Sequence, residues 1–461
     1  MVDDLTEMPE VTESGYKLER SVISAVYAAI EAMDANAIDA ALDPLHPADI
    51  ADLLEQISSG ERRALLGLWS MGIDGEVLSE LDENLREEVI GYLSDGVLSE
   101  AVRDMESDDV VDLVEDMEDD QQERILGALE DVDRVAVERA LSYPEYSAGR
   151  LMQRELVVAP EHWNVGQAID FLRREDDLPD QFYHIILVDP GYHPTGYVTL
   201  GKLLGSPRAV ALKAIMEDSF RTIPVTQPEE DVAYAFNQYH LISAPVVDED
   251  DRLVGVITID DAMIVLDDEA EEDILRLAGV SGEESLSDRT LETVRQRLPW
   301  LGVNLFTAIL ASMVISQFEA VLTQIVALAV LMPIVASMGG NAGTQSLTVA
   351  VRAIATKDLT GSNMWRVVRR EAVAGLVNGI IFAVIMGVVG IIWFGTPLLG
   401  AVIAVAMVIN LVVAALAGIL IPVGLEKLGI DPALASGAFV TTVTDVVGFF
   451  AFLGLAAVLL V

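Results

Sequence analysis

The chain has 461 residues, of which 52 % are apolar, with a positive mean hydropathy of +0.41 and a formal net charge of −46 at pH 7. No uniform globular protein combines these, so apolarity and charge must be segregated along the chain; the acidic surplus argues against nucleic acid and anionic lipid as partners and in favour of bound cations. Cysteine is absent, which excludes disulfides and thiolate metal ligands.

Residues 1–19 are polar and acidic without an apolar core, so they predict a disordered N-terminus rather than a signal peptide. Residues 20–146 read as short amphipathic helices. LHPADIADLLEQI (Leu45 to Ile57) recurs as MESDDVVDLVEDM (Met105 to Met117) at an offset of 60, which predicts a stack of helical hairpins. Acid is spread over every soluble segment, and only five of the 28 basic residues are lysine. That pattern suits a halophilic surface and makes each single carboxylate weak evidence of a site.

Residues 147–268 contain a second repeat: VDPGYHPTGYVTLGKLL (Val188 to Leu204) aligns without gaps on VDEDDRLVGVITIDDAM (Val247 to Met263), offset by 59. Each copy reads as strand, turn, strand, helix. The segment resembles a tandem pair of CBS domains, 147–206 and 207–268. In such pairs a Thr followed three residues later by Asp holds a nucleotide ribose. The second copy has Thr258 and Asp261, whereas the first has Thr199 and Lys202. The resemblance therefore implies one site for ATP or another adenine nucleotide; the alternative is that Thr258 and Asp261 only cap the helix that follows. Residues 269–297, beginning with the acidic Glu272 and Asp273, predict a helix connecting this half to the next.

From Leu298 onward acidic and basic residues balance, and five apolar stretches follow, near 298–318, 322–350, 371–395, 398–422 and 436–461. Each is long enough to cross about 30 Å of hydrocarbon at about 1.5 Å per residue. Five spans put the termini on opposite sides. The linker from Arg352 to Arg370 carries five of the six basic residues of this half, and the links around Phe318 and Thr396 carry none. The positive-inside bias therefore makes the N-terminus cytoplasmic and the C-terminus external in a multi-pass plasma-membrane protein.

Two segments place polar groups where lipid would penalise them. The fifth stretch holds a single ionisable residue, Asp445, with Gly437, Thr441, Thr444 and Gly448 on the same helical face. A carboxylate at mid-bilayer costs at least about 2.5–3.5 kcal/mol, so it should face a water-filled path, a cation or a polar group on a neighbouring span. In the second stretch Pro333, Gly339, Gly340 and Gly343 predict a loosened helix. Its freed carbonyls would lie beside the amides of Asn341 and Gln345 and the hydroxyl of Thr344. One carboxylate among carbonyls, amides and hydroxyls suits a hydrated divalent ion such as magnesium.

PIVASMGGNAGTQS, the basic linker, LGIDPALASG and VTTVTDVVGFF are similar to the MgtE-type magnesium channels, and the resemblance runs over essentially the whole chain. It implies a homodimer in which Asp445 recognises hydrated Mg2+ near a two-fold axis, with Gly340, Asn341 and Thr344 lining the same path and Thr441 beside it. Some members carry an amide near the start of the fifth span, where this chain has Gly437. The resemblance also makes 269–297 a plug or connecting helix whose Glu272 and Asp273 face Asp431. It implies gating by cytoplasmic Mg2+ bound to the helical and CBS domains, with Asp260 and Asp261 among the regulatory ligands.

The fold class is thus a multidomain membrane protein: an all-α helical-hairpin stack, an α/β CBS pair, a connecting helix and a five-helix transmembrane domain. The function that the resemblance implies is that of a Mg2+ channel or transporter. Alternatives are transport of Co2+, Mn2+ or Ca2+, and, more distantly, a membrane-anchored nucleotide sensor. The five histidines are dispersed through the first half and no phosphate loop or paired metal-ligand motif occurs, so the chain does not read as an enzyme.

Overall fold

The computed structural model describes residues 18, 20–69, 73–103, 105–115, 117, 119–175, 178–179, 182–217, 220–280, 290–434 and 436–461. The disorder expected for 1–19, Leu18 apart, lies outside them. The chain divides into two compact units, Met1–Asp267 and Asp268–Val461, and the division falls within one helix, Ile259–Ala278.

The first unit begins with short helices running from Arg20–Ala32 to Asp131–Ala140. Several are fixed by side chains that satisfy the free N–H groups of their first turn. Ser58 and Glu61 form a reciprocal capping box, as do His46 and Asp49, while Asp34 and Asp74 accept from Ala37 and Val77. The offset of 60 persists in the packing. Helix Pro47–Gln56 buries Ile50, Ala51, Leu53 and Leu54; helix Ser107–Glu115 buries Val110, Val111, Leu113 and Val114 at the matching positions. Both contribute to one apolar core with Ile38, Leu65, Leu78 and Ile90.

Two three-stranded sheets follow, of order β1-β2-β3 and β4-β5-β6. In the first, β1 (Val158–Pro160) runs parallel to β2 (His184–Val188), which pairs antiparallel with β3 (Pro194–Thr199). The second repeats this with β4 (Ile223–Pro224), β5 (Ser243–Val247) and β6 (Leu253–Thr258). The strands β5 and β6 start 59 residues after β2 and β3, and the antiparallel registers correspond, His184 opposite Thr199 and Ser243 opposite Thr258. The imidazole Nδ1 of His184 lies 2.6 Å from the Ser243 hydroxyl, so equivalent positions of the two copies meet.

The second unit contains five helices long and apolar enough to cross a membrane. They are span one (Thr290–Ser316), span two (Ala327–Ala355), span three (Met364–Phe394), span four (Pro397–Lys427) and span five (Ser436–Leu459). Span four is central: it buries Val402, Ile403, Ala406, Met407 and Leu411, whereas span one leaves Leu298, Leu301, Leu305, Phe306 and Met313 exposed, as lipid-facing residues would be.

Two expectations are corrected. Span two is not broken by its glycines: it is one helix of 29 residues with Pro333 inside it, preceded by a separate short helix, Glu319–Gln324. Helix Thr290–Ser316 runs through Leu298 without interruption, and Pro299 sits within it. The acidic segment with Glu272 and Asp273 continues the last helix of the second CBS copy to Ala278, and the expected connecting helix 269–297 lies in part, at 281–289, outside the described residues.

Candidate functional site

Span two and span five each carry polar groups that present mainly oxygen acceptors. The Thr344 hydroxyl donates to the Gly340 carbonyl at 3.0 Å, Thr348 to the Thr344 carbonyl at 3.0 Å and Thr441 to the Gly437 carbonyl at 2.9 Å. Each hydroxyl proton is spent on the helix's own backbone, leaving lone pairs directed outward. The Asn341 amide nitrogen likewise donates inward, to the Ser337 carbonyl at 2.9 Å, which leaves its Oδ1 as an acceptor. Asn341, Thr344 and Thr441 are exposed, Gly340 and Asp445 half-buried. Asp445 has no hydrogen-bond or ion-pair partner among the described residues. The structural alternative of an Asp bonded to a neighbouring span is therefore not realised within this chain.

The glycines of span two serve approach rather than breakage. A Cβ on Gly343 would lie 2.5 Å from Val440 Cγ1 of span five, so glycine here lets spans two and five pack this closely. A Cβ on Gly339 would fall 2.3 Å from the amide nitrogen of Asn410, a residue of span four that is fully buried. That amide donates to the Val335 carbonyl at 2.8 Å, while its Oδ1 is buried without a partner. Sequence reasoning missed Asn410; a lone carboxamide in the apolar run of span four was the available signal.

Near the start of the second unit, Glu272 and Asp431 do come together, but through Arg276. Its guanidinium pairs with Glu272 one helical turn earlier and with Asp431 in the loop before span five. Leu277 beside it packs against Leu347, Ala433 and Val440, and Asp431 also accepts from the Ala433 N–H at 2.8 Å. Of the two acids expected to face Asp431, Glu272 meets it across Arg276, a basic residue that the sequence did not single out.

In the first unit a second acidic group gathers around helix Ser107–Glu115 and the start of helix Ile259–Ala278. Asp108, only 7 % exposed, shares a hydrogen bond with Asp261 and accepts from the Asp109 N–H at 3.0 Å. Asp261 also accepts from the Thr258 hydroxyl at 2.6 Å and the Thr258 N–H at 3.3 Å, so it caps its helix as the alternative reading held. Glu106 accepts from Gln153 at 2.8 Å. Burial, and then the charges of Glu155 and Asp261, push Glu106 up to about 7. Burial and the Asp261 and Glu106 charges bring Asp109 up to about 7, against a lowering by Arg86. Burial raises Asp261 to about 6, against the Thr258 hydrogen bond, and lifts Asp108 well above the usual carboxylate range. Asp260 adds its charge to Glu106 and Asp261. Among the described residues no three acidic or histidine side chains form a preformed metal site; the carboxylates are held by hydrogen bonds instead.

Three families match parts of the chain: MgtE, a divalent cation transporter, over residues 332–455; the MgtE intracellular N domain over 45–146; and CBS domains over 148–207 and 212–268. The chain is 34 % identical over 448 residues to the magnesium transporter MgtE of Thermus thermophilus, covering 96 % of this chain and 99 % of that protein. The chain belongs to the MgtE family. The magnesium transporter MgtE of Enterococcus faecalis is 36 % identical to it over 321 residues, 70 % of this chain and 71 % of that one. Among solved structures, the cytosolic domain of the Mg2+ channel MgtE in complex with ATP matches with a TM-score of 0.49 and 28 % identity, over 53 % of this chain and 99 % of that one. In this MgtE chain the sequence-predicted residues thus fall into three separate sets. Gly340, Asn341, Thr344, Thr441 and Asp445 lie on spans two and five; Glu272 and Asp431 meet at Arg276, with Asp273 next to Glu272; Thr258, Asp260 and Asp261 join Glu106, Asp108 and Asp109. The last three were missed because a uniformly acidic sequence gives no sign of which carboxylates are buried.

Proposed function

We propose that this chain is a plasma-membrane Mg2+ channel or transporter, acting as a homodimer whose two copies of Asp445 face a shared path. The observation that carries this is the set of acceptor groups of Asn341, Thr344 and Thr441, exposed, and of the half-buried Asp445, on spans too apolar to lie in water. Lipid would penalise these groups, whereas a two-fold partner would enclose them. Oxygen acceptors and one carboxylate per chain suit a divalent ion that keeps its waters. The basic linker keeps the N-terminus cytoplasmic and the C-terminus external.

The acidic group around Asp108 and Asp261 is the proposed cytoplasmic sensor, with Glu272, Asp273 and Asp431 as further regulatory acids. Divalent ions replacing the shared protons would favour one state of the protein by their differential affinity for it. The CBS pair is the proposed seat of an adenine nucleotide on Thr258 and Asp261. Because Asp261 also bonds Asp108, nucleotide and sensor would compete for one carboxylate.

Uptake of Mg2+ into vesicles, with Mg2+ as the sole divalent ion, tests the path. Asp445→Asn is expected to lower uptake by about 10- to 100-fold, the worth of one charged contact. Undiminished uptake by that variant would remove Asp445 from the path, and uptake of Co2+, Mn2+ or Ca2+ without Mg2+ would reassign the ion.

A further inference from the structure

A second polar surface lies inside the membrane-spanning unit, away from the face that carries Asp445. Spans two, three and four border a cavity of about 180 Å3 lined by Gln345 and Ser346 of span two, Glu371, Gly375 and Asn378 of span three, and Leu411 of span four. Glu371, Gly375 and Asn378 fall at i, i+4 and i+7, which sets them on one face of span three. Span three begins at Met364, so Glu371 stands two turns inside the helix rather than at its start.

The carboxylate is poorly satisfied for its position. The Glu371 side chain is 16 % exposed, and one oxygen takes the Arg370 guanidinium at 3.1 Å. Arg370 is 66 % exposed, so this pair is a surface ion pair of small worth. The other oxygen receives only the Ser346 hydroxyl at a long 3.4 Å, and Ser346 itself is 8 % exposed. Gln345 and Asn378 are exposed on these apolar spans and have no hydrogen-bond partner among the described residues. Carboxamides and a carboxylate converging at such a place require water or a ligand.

The geometry points to a second cation site here, separate from Asp445, that takes a divalent ion with part of its hydration shell. The donors are one Glu371 carboxylate, the amide oxygens of Gln345 and Asn378 and the Ser346 hydroxyl. At about 30 Å3 per water the cavity has room for about six water-sized groups, a volume suited to an ion keeping some of its waters. A hard cation that retains waters and takes one or two carboxylates is what such a donor set selects. Arg370 occupies the outer carboxylate oxygen and leaves it when the ion binds. Only the identity of the ion rests on the transport reading above; the site itself rests on the cavity and its donors.

Anomalous diffraction from crystals of the full chain soaked in Mn2+, used as the probe, tests this. A peak between Glu371, Gln345 and Asn378 is expected in the wild type, retained in Asp445→Asn and lost in Glu371→Gln. Asn378→Leu, which keeps the carboxylate, is expected to lower the peak and serves if Glu371→Gln does not fold. The inference is overturned if the cavity stays empty while Mn2+ occupies Asp445, if the peak survives Glu371→Gln, or if the cavity holds a lipid headgroup or a helix of a second copy. Loss of the path reading alone would look different: Mg2+ uptake untouched by Asp445→Asn, with the cavity peak still present.

Discussion

Two acidic groups in this chain are built on opposite principles. Glu272 and Asp431 enclose a permanent cation, Arg276, and need no other counter-charge. Glu106, Asp108, Asp109 and Asp261 gather with no arginine or lysine bonded to any of them among the described residues, and their carboxyls are pushed upward by burial and mutual repulsion. An arginine fixes an acidic pair into a permanent joint, whereas a group left without one must take up a proton or a metal ion from solution and so responds to both. The first arrangement suits a hinge or anchor, the second a sensor.

The sharpest way to break that contrast is to remove the most buried carboxyl of the second group. Asp108 corresponds, at the offset of 60, to Ala48 of the first copy. Asp108→Ala removes a buried carboxyl whose ionisation burial and the neighbouring carboxylates oppose, and is expected to stabilise the metal-free protein at neutral pH by about 1 kcal/mol. It should also abolish much of the added stability that Mg2+ confers. Denaturant unfolding at fixed potassium chloride, with and without Mg2+, measures both; a destabilised Asp108→Ala would mean that the carboxylate is already compensated.

A somewhat smaller effect is expected from pH. Carboxylates whose folded pKa lies above the unfolded value of about 4 favour the folded state fully at low pH, and that contribution is lost as pH rises through the folded value. With Glu106 and Asp109 at about 7 and Asp261 at about 6, metal-free thermal stability should fall as pH rises from about 5 to about 8. Saturating Mg2+ should flatten the fall, because it replaces the departing protons. A melting temperature that rises with pH over this window would contradict the assignment.

The arginine-centred group should answer in the opposite sense. Arg276→Gln leaves Glu272 and Asp431 facing each other without a cation, at an expected cost of about 1 kcal/mol for partly exposed pairs. The variant should then gain more stability from Mg2+ than the wild type does, since it acquires the uncompensated character of the other group. An unchanged Mg2+-dependent shift in thermal unfolding would show that Arg276 does not screen the pair. The smallest effect is expected at Thr258→Val, which removes one hydrogen bond to Asp261 and should cost about 1 kcal/mol.

Much of the fold could be read from the sequence because it rests on periodicity. The offsets of 60 and 59 reappear as paired helices with matched buried positions and as two sheets of equal register. Five apolar stretches became five helices, with ends displaced where helical turns extend into polar flanks, as at Met364 and Thr290. The glycines of span two were misread, since glycine lowers helix propensity in isolation but in a bundle makes room for a neighbour. Asn410 and Val440 occupy the space that side chains on Gly339 and Gly343 would need.

The candidate sites divide along the same line. Asp445 stands out in sequence because the cost of a charge in hydrocarbon depends only on the residue and the apolar run around it. Segregation of charge and apolarity, the two repeats and the single carboxylate of span five were therefore determined by the sequence alone. Which of the 74 acidic residues meet one another was not. Asp108 joins Asp261, Arg276 enters between Glu272 and Asp431, and Glu371 turns toward Ser346 only through contacts between residues far apart in the chain. Burial and counter-charge are properties of such contacts, and only the tertiary structure decides them.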